Sequence, residues 1–167
     1  MLGTIFTEAD GDDAVRYTMG DAEGAHAAGV RQAEWYARWG REGKIAAWRG
    51  KQPRGGRGVG SSGGNGAISL GVLMECADPI RGPEELEWWV ERGVVVIGLA
   101  WARGSRYASG NGEPSCSNGA GLTDIGRELV KRMDALGVVH DVSHLSDRAL
   151  GELFELTDRP VIASHSN

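Results

Sequence analysis

The chain has 167 residues, of which 41% are hydrophobic and 25% charged, with a formal net charge of −5. That length and balance suit one folded domain with an ordinary core. The acidic balance, with no run of Lys or Arg, excludes a nucleic-acid surface.

No apolar run approaches the roughly 20 residues of a membrane span. The opening MLGTIFTEADGDD lacks a basic start and a long apolar core, so it does not read as a signal peptide. Cys76 and Cys116 form neither a disulfide framework nor a C-x-x-C pair. These features lead us to expect a cytoplasmic protein.

In chain order, Leu2 to Phe6 predicts a short strand. Asp21 to Glu42 predicts a helix: Ala28, Trp35 and Trp39 recur at helical spacing among Arg31, Glu34, Arg38 and Arg41, and Gly43 supplies a stop. Residues 50–66 include eight glycines and predict a flexible insertion, because such a segment loses much entropy on ordering and buries little. Ala67 to Met74 (AISLGVLM) is an apolar strand. Pro83 opens a helix to about Glu91, Gly93 closes it, and Val94 to Leu99 (VVVIGL) is a second apolar strand. A Gly/Ser/Asn-rich loop covers 100–121. Thr123 caps the next helix, with Ile125, Leu129, Met133 and Leu136 as its buried stripe, and Gly137 ends it. Val138 to Val142 is a strand. Ser146 caps a helix with Leu150, Leu153 and Phe154 inward, and Pro160 to Ser164 is the last strand.

The strands are continuously apolar and alternate with helices, which predicts a parallel sheet buried on both faces. A TIM-type barrel and a doubly wound open sheet both fit that pattern.

Three polar residues stand out by position. Glu75 directly follows one strand, and His144 and His165 lie just past two others. In parallel α/β folds the carboxyl ends of the strands open on one face, which carries the site. A carboxylate and two imidazoles converging there suit zinc. A lone histidine at a strand end is more often structural. Two at equivalent positions of successive β-α units, beside a glutamate, favour ligation. His26, on a helix, and His140, inside a strand, read as structural.

Gly58 to Gly63 matches G-x-G-x-x-G and Gly60 to Gly64 matches G-x-S-x-G. Neither follows a strand, so both are chance matches in a glycine tract. Ser143-His144 and Ser164-His165 do not read as nucleophile-base pairs, since neighbouring side chains of an extended chain point apart.

The segment GLTDIGRELVKRMDALGVVHDVSHLSDRALGELFELTDRPVIASHSN resembles the renal (membrane) dipeptidase family, with its G-L-T-x-x-G helix, D-x-S-H strand end and P-V-I-x-S-H-S strand. GVLMECADPI resembles the family's strand ending in glutamate. The resemblance spans roughly 67–167 strongly and 1–45 weakly. It implies a TIM-like (β/α)8 barrel, incomplete here with about five of eight strands, forming one partial domain over 1–167. It implies two zinc ions per complete site and at most one in this chain. Glu75 would be the catalytic carboxylate bridging both metals, and His144 and His165 the ligands of the second. Dipeptides would be cleaved by attack of a metal-bound hydroxide.

Four features depart from the family pattern. No His-x-Asp pair occurs to supply the first metal. Trp101 stands where the family has a substrate-contacting histidine, and Cys76 where a glycine commonly follows the glutamate. The family's substrate-gripping Arg and late Asp would lie beyond Asn167. We therefore expect a chain truncated at both ends and inactive alone. Two other functions compete with dipeptidase: a related barrel hydrolase of cyclic amides or esters, which Trp101 favours because an indole is neither ligand nor base, and a non-catalytic barrel fragment.

Overall fold

A computed structural model describes residues 1–11, 15–48, 67–112 and 120–165. The glycine tract with its two chance motifs lies outside the described residues, as does Cys116.

The sheet is built around β5 (Ile68–Met74). β1 (Leu2–Ile5) pairs with its second half, Leu2 opposite Gly71 and Ile5 opposite Met74. β4 (Ile45–Ala47) pairs with its first half, Ile45 opposite Ile68. β6 (Val94–Gly98), β7 (Val139–Asp141) and β8 (Val161–Ile162) follow in order, and every pairing in this sheet is parallel. The strand path β1-β5-β6-β7-β8 does not close among the described residues. The molecule is therefore an α/β fold on a parallel sheet. Two further two-residue strands, β2 (Glu8–Ala9) and β3 (Arg16–Tyr17), pair separately. β2, β3 and β4 are too short to show a hydrophobic period and carry no signal in residue order.

Helix α1 runs Ala22–Arg41, capped by the Asp21 carboxylate on the N–H of Gly24. It buries Ala25, Ala28, Gly29 and Ala33 rather than the expected tryptophans, and Trp35 is 55% exposed. The small face exists because the helix approaches closely: a Cβ on Gly29 would sit 2.8 Å from Pro79 Cβ. A 3-10 turn at Pro83–Glu85 leads into α2 (Leu86–Glu91).

Helices α3 (Asp124–Leu136) and α4 (Asp147–Leu156) are capped by Thr123 and Ser146 as expected. Their buried faces are rotated from the predicted stripes. α3 buries Gly126, Leu129, Val130 and Met133 while Ile125 is exposed; α4 buries Ala149 and Leu153 while Phe154 is exposed. One apolar cluster joins the helices to the sheet, with Ile5, Val72, Met74, Trp89, Ile97, Leu129, Met133 and Leu153 in it.

His140 has the structural role expected. It is buried on β7, and its Nε2 lies 2.7 Å from Asp134 Oδ1, which also accepts from the Thr157 hydroxyl at 3.0 Å. The three residues join β7 to the ends of α3 and α4. His26 is likewise held, its Nδ1 being 3.0 Å from the Pro79 carbonyl.

The Thr123 hydroxyl accepts from the Gly126 N–H at 3.1 Å and faces the Arg106 carbonyl at 2.8 Å. Removing it leaves a helix-end N–H without its cap. Thr123→Ala is expected to lower unfolding free energy by about 1–2 kcal/mol in urea denaturation, and Thr123→Ser to lower it by less.

Candidate metal centre

Because the sheet is parallel, the carboxyl ends of β5, β7 and β8 lie on one rim. Glu75 follows β5 directly, and its N–H is held by the Ile5 carbonyl at 3.0 Å. His144 lies three residues past β7 and His165 three past β8. Their side chains meet. His144 Nε2 and His165 Nε2 are 2.7 Å apart and lie 3.4 and 3.3 Å from Glu75 Oε1. One ligand atom from each falls within 4.8 Å of the other two.

Local backbone choices make this convergence possible. His144 has φ +67°, a left-handed conformation that turns the chain off the strand. Its carbonyl accepts from Asn111 N–H at 2.9 Å, which steadies the turn. On β6, Gly98 admits the backbone of Glu75: a Cβ there would sit 2.6 Å from the Glu75 carbonyl oxygen.

Beneath the histidines is Asp141, which position alone had not singled out. It is fully buried. Its Oδ1 accepts from Ser143 N–H (3.0 Å), Ser143 Oγ (2.7 Å) and Ser164 N–H (3.1 Å), and its Oδ2 from the Ser164 hydroxyl. Burial pushes its carboxyl up, but the hydrogen bonds from Ser164 and Ser143 together outweigh burial and hold it below the usual carboxylate range. The sequence signal was present: an aspartate at the end of one strand and a serine before each histidine.

The expectation that Ser164 cannot reach His165 is corrected. Ser164 Oγ lies 2.7 Å from His165 Nδ1, because these residues are past the strand and the chain bends there. The arrangement is still not a nucleophile-base pair, since the serine proton is committed to Asp141.

The donor set fits a metal. Three atoms able to ligate face one point, where either a cation or ring protons can lie between them. Tetrahedral ligands about 2.0–2.1 Å from zinc stand about 3.3 Å apart. The two distances to Glu75 already match that spacing, and the imidazoles would part by about 0.6 Å from their present contact.

Trp101 borders this centre, its ring 6.3 Å from that of His144 and 5.5 Å from that of Phe6. The Cys76 thiol is buried behind Glu75 and directed at Asp78 Oδ2, 3.6 Å away. Burial, then the Asp78 charge, push it well up, so it stays protonated. A separate cavity of about 260 Å³ is bounded by Tyr17, Asp78, Arg103 and Arg106, and none of the three convergent residues lines it.

Residues 60–167 match the family model of membrane dipeptidase, peptidase family M19. The chain belongs to the membrane dipeptidase family. An uncharacterized protein from the PQQ-III 3′ region of Acinetobacter calcoaceticus is 36% identical over 104 residues, 60% of this chain and 33% of that protein. The chain thus spans about a third of that relative. A metallo peptidase from Rhodobacter sphaeroides, crystallised with a phosphinate mimic of the dipeptide L-Ala-D-Ala, aligns with TM-score 0.70 and 27% identity, covering 87% of this chain and 42% of its own. The probable dipeptidase PvdM from Pseudomonas aeruginosa, at TM-score 0.76 and 21% identity over 99% of this chain and 42% of its own, shares the fold. Among the described residues, no helix of this family member is long and apolar enough to cross a membrane.

Two outcomes test the centre as built. Gly98→Ala must displace Glu75 or the strand beside it. It is expected to destabilise the fold by about 1–3 kcal/mol and to weaken metal binding, read by thermal melting and zinc titration. For Asp141, the folded pKa lies below the unfolded one. Its ionised form therefore contributes fully above about pH 4, and that contribution is lost as pH falls through the folded value. The stability gap between the natural protein and Asp141→Asn is expected to be open at pH 7 and to narrow toward pH 3 in parallel denaturation curves.

Proposed function

We propose that this chain carries one metal's share of the catalytic centre of a zinc-dependent dipeptidase. Glu75, His144 and His165 are the ligands in this reading, and Trp101 is a wall of the substrate site. The convergence of the three donor atoms on the sheet rim carries the proposal. Membership of the membrane dipeptidase family supports the reaction class. The dipeptide mimic bound by the Rhodobacter sphaeroides relative supports the substrate class.

A divalent metal in this position supplies Lewis acidity and lowers the pKa of a water. The chain's own groups do the rest. Glu75 brings the negative charge that offsets the cation, and the two imidazoles bring neutral lone pairs. Phe6 and Trp101 pack edge to face and form an apolar wall on the His144 side of the site. Because an indole neither ligates nor accepts a proton, that wall selects by shape. Trp101 is also the feature that favours the alternative reading, a related barrel hydrolase acting on cyclic amides or esters. In the complete site Glu75 would also serve a second metal, whose His-x-Asp ligands the 167 residues lack.

The same reading makes the sheet part of a TIM-like (β/α)8 barrel. In support, one sheet face forms a hollow of about 510 Å³ bounded by Leu2, Ser69, Val96, Val139 and Ile162, one residue from each strand of the β1-to-β8 path. Such a face is the interior wall of a curved sheet, filled by side chains when a barrel closes.

Zinc titration of the purified chain against His144→Ala/His165→Ala tests the site. The natural chain is expected to bind about one zinc and the double variant none, with affinity falling on acidification as protons compete for the ligands. Equal stoichiometry in both would sink the assignment. On a dipeptide panel with excess zinc, the 167-residue chain is expected to show no turnover. Turnover would show that its one set of ligands suffices.

A further inference from the structure

We propose that Asp141 is a positioning residue: acting through the Ser164 hydroxyl, it fixes the His165 ring as the tautomer whose Nε2 lone pair faces Glu75. The inference rests on the metal-site reading for its purpose, but it is a statement about hydrogen-bond direction within the chain.

The direction follows from counting protons. An ionised carboxylate only accepts, so the single Ser164 O–H donates to Asp141 Oδ2. Ser164 Oγ then has only lone pairs to offer His165 Nδ1, 2.7 Å away. Nδ1 must carry the ring proton, and a neutral ring with Nδ1–H has its lone pair on Nε2. That atom is the one 3.3 Å from Glu75 Oε1 and 2.7 Å from His144 Nε2. A metal-ligating histidine is commonly oriented through its other nitrogen by a carboxylate or carbonyl. Here the carboxylate is one hydroxyl removed, because Asp141 sits at the end of β7 and His165 beyond the end of β8.

The other carboxylate oxygen fixes the frame. Asp141 Oδ1 gathers two backbone N–H groups and the Ser143 hydroxyl, and Ser143 Oγ in turn accepts from His165 N–H at 3.3 Å. The carboxylate therefore cannot rotate without breaking three bonds, and both Ser-His segments are tied to one buried group.

This arrangement makes Asp141→Asn an informative variant of nearly unchanged shape. The amide oxygen must take the Oδ1 position, because three donors point there. The NH2 then faces Ser164 Oγ and donates to it. Ser164 turns its proton to His165 Nδ1, and the ring proton moves to Nε2, where it blocks ligation. The test is the His165 tautomer in the metal-free 167-residue chain, read from ring ¹⁵N shifts and long-range ¹H–¹⁵N couplings, with zinc affinity measured alongside. The natural chain is expected to show Nδ1–H, Asp141→Asn predominantly Nε2–H, and zinc affinity to fall about 10–100-fold in the variant. Ser164→Ala is expected to lose the fixed tautomer and Ser164→Thr, which keeps the hydroxyl, to restore it. Nε2–H in the natural chain would overturn the proposal, and that measurement needs no variant to fold. An unchanged Nδ1–H tautomer in folded Asp141→Asn or Ser164→Ala would overturn it as well. Failure of the natural chain to bind zinc would refute the metal site alone, since the tautomer is read without metal.

Discussion

Strand β5 is the member on which the rest of the sheet is aligned. Its first half pairs with β4 and its second with β1, and β6 joins it from Val72 onward. All these pairings are parallel, so every loop leaving a strand's carboxyl end is delivered to one rim. Parallel pairing needs a crossover between strands, and the helices that make the crossovers cover the sheet. The convergence of the three candidate ligands follows from this constraint. Glu75 is the residue where β5 ends, and the two histidines are where the chain leaves β7 and β8.

Direction alone brings the three residues to the same rim; hydrogen bonding brings them into contact. β7 and β8 are short, three and two residues, and their ladder is correspondingly weak. The four hydrogen bonds to Asp141 extend that ladder past the strand ends, joining Ser143 and Ser164 through one buried carboxylate. A buried anion without partners would be costly. Here each oxygen is satisfied by donors that also fix the two histidine segments, so stabilising the charge and holding those segments are one and the same set of contacts.

Periodicity and position were legible wherever the local signal was long. The five apolar strands, the caps at Thr123 and Ser146 and the positions of Glu75, His144 and His165 on one rim could be read from residue order, since each depends on near neighbours. The buried faces of the helices were less legible. α1 turns its alanines inward and leaves Trp35 outside, because a helix lying against Pro79 and Trp89 has room only for small side chains. Phe154 and Ile125 are exposed for a related reason: apolar periodicity gives a stripe but not which edge of it meets the sheet.

By itself, then, the sequence determined the alternation of strands and helices, the parallel sense of the sheet and the family to which its motifs belong. Tertiary structure decided what those motifs do to one another. That Ser164 reaches His165 depends on a bend two residues past β8. That Asp141 governs both Ser-His segments depends on Asp141 lying opposite Ile162 across the sheet. Hydrogen-bond direction is a property of atoms within about 3 Å of one another, and residues 141 and 164 become such neighbours only when two separate strands pair.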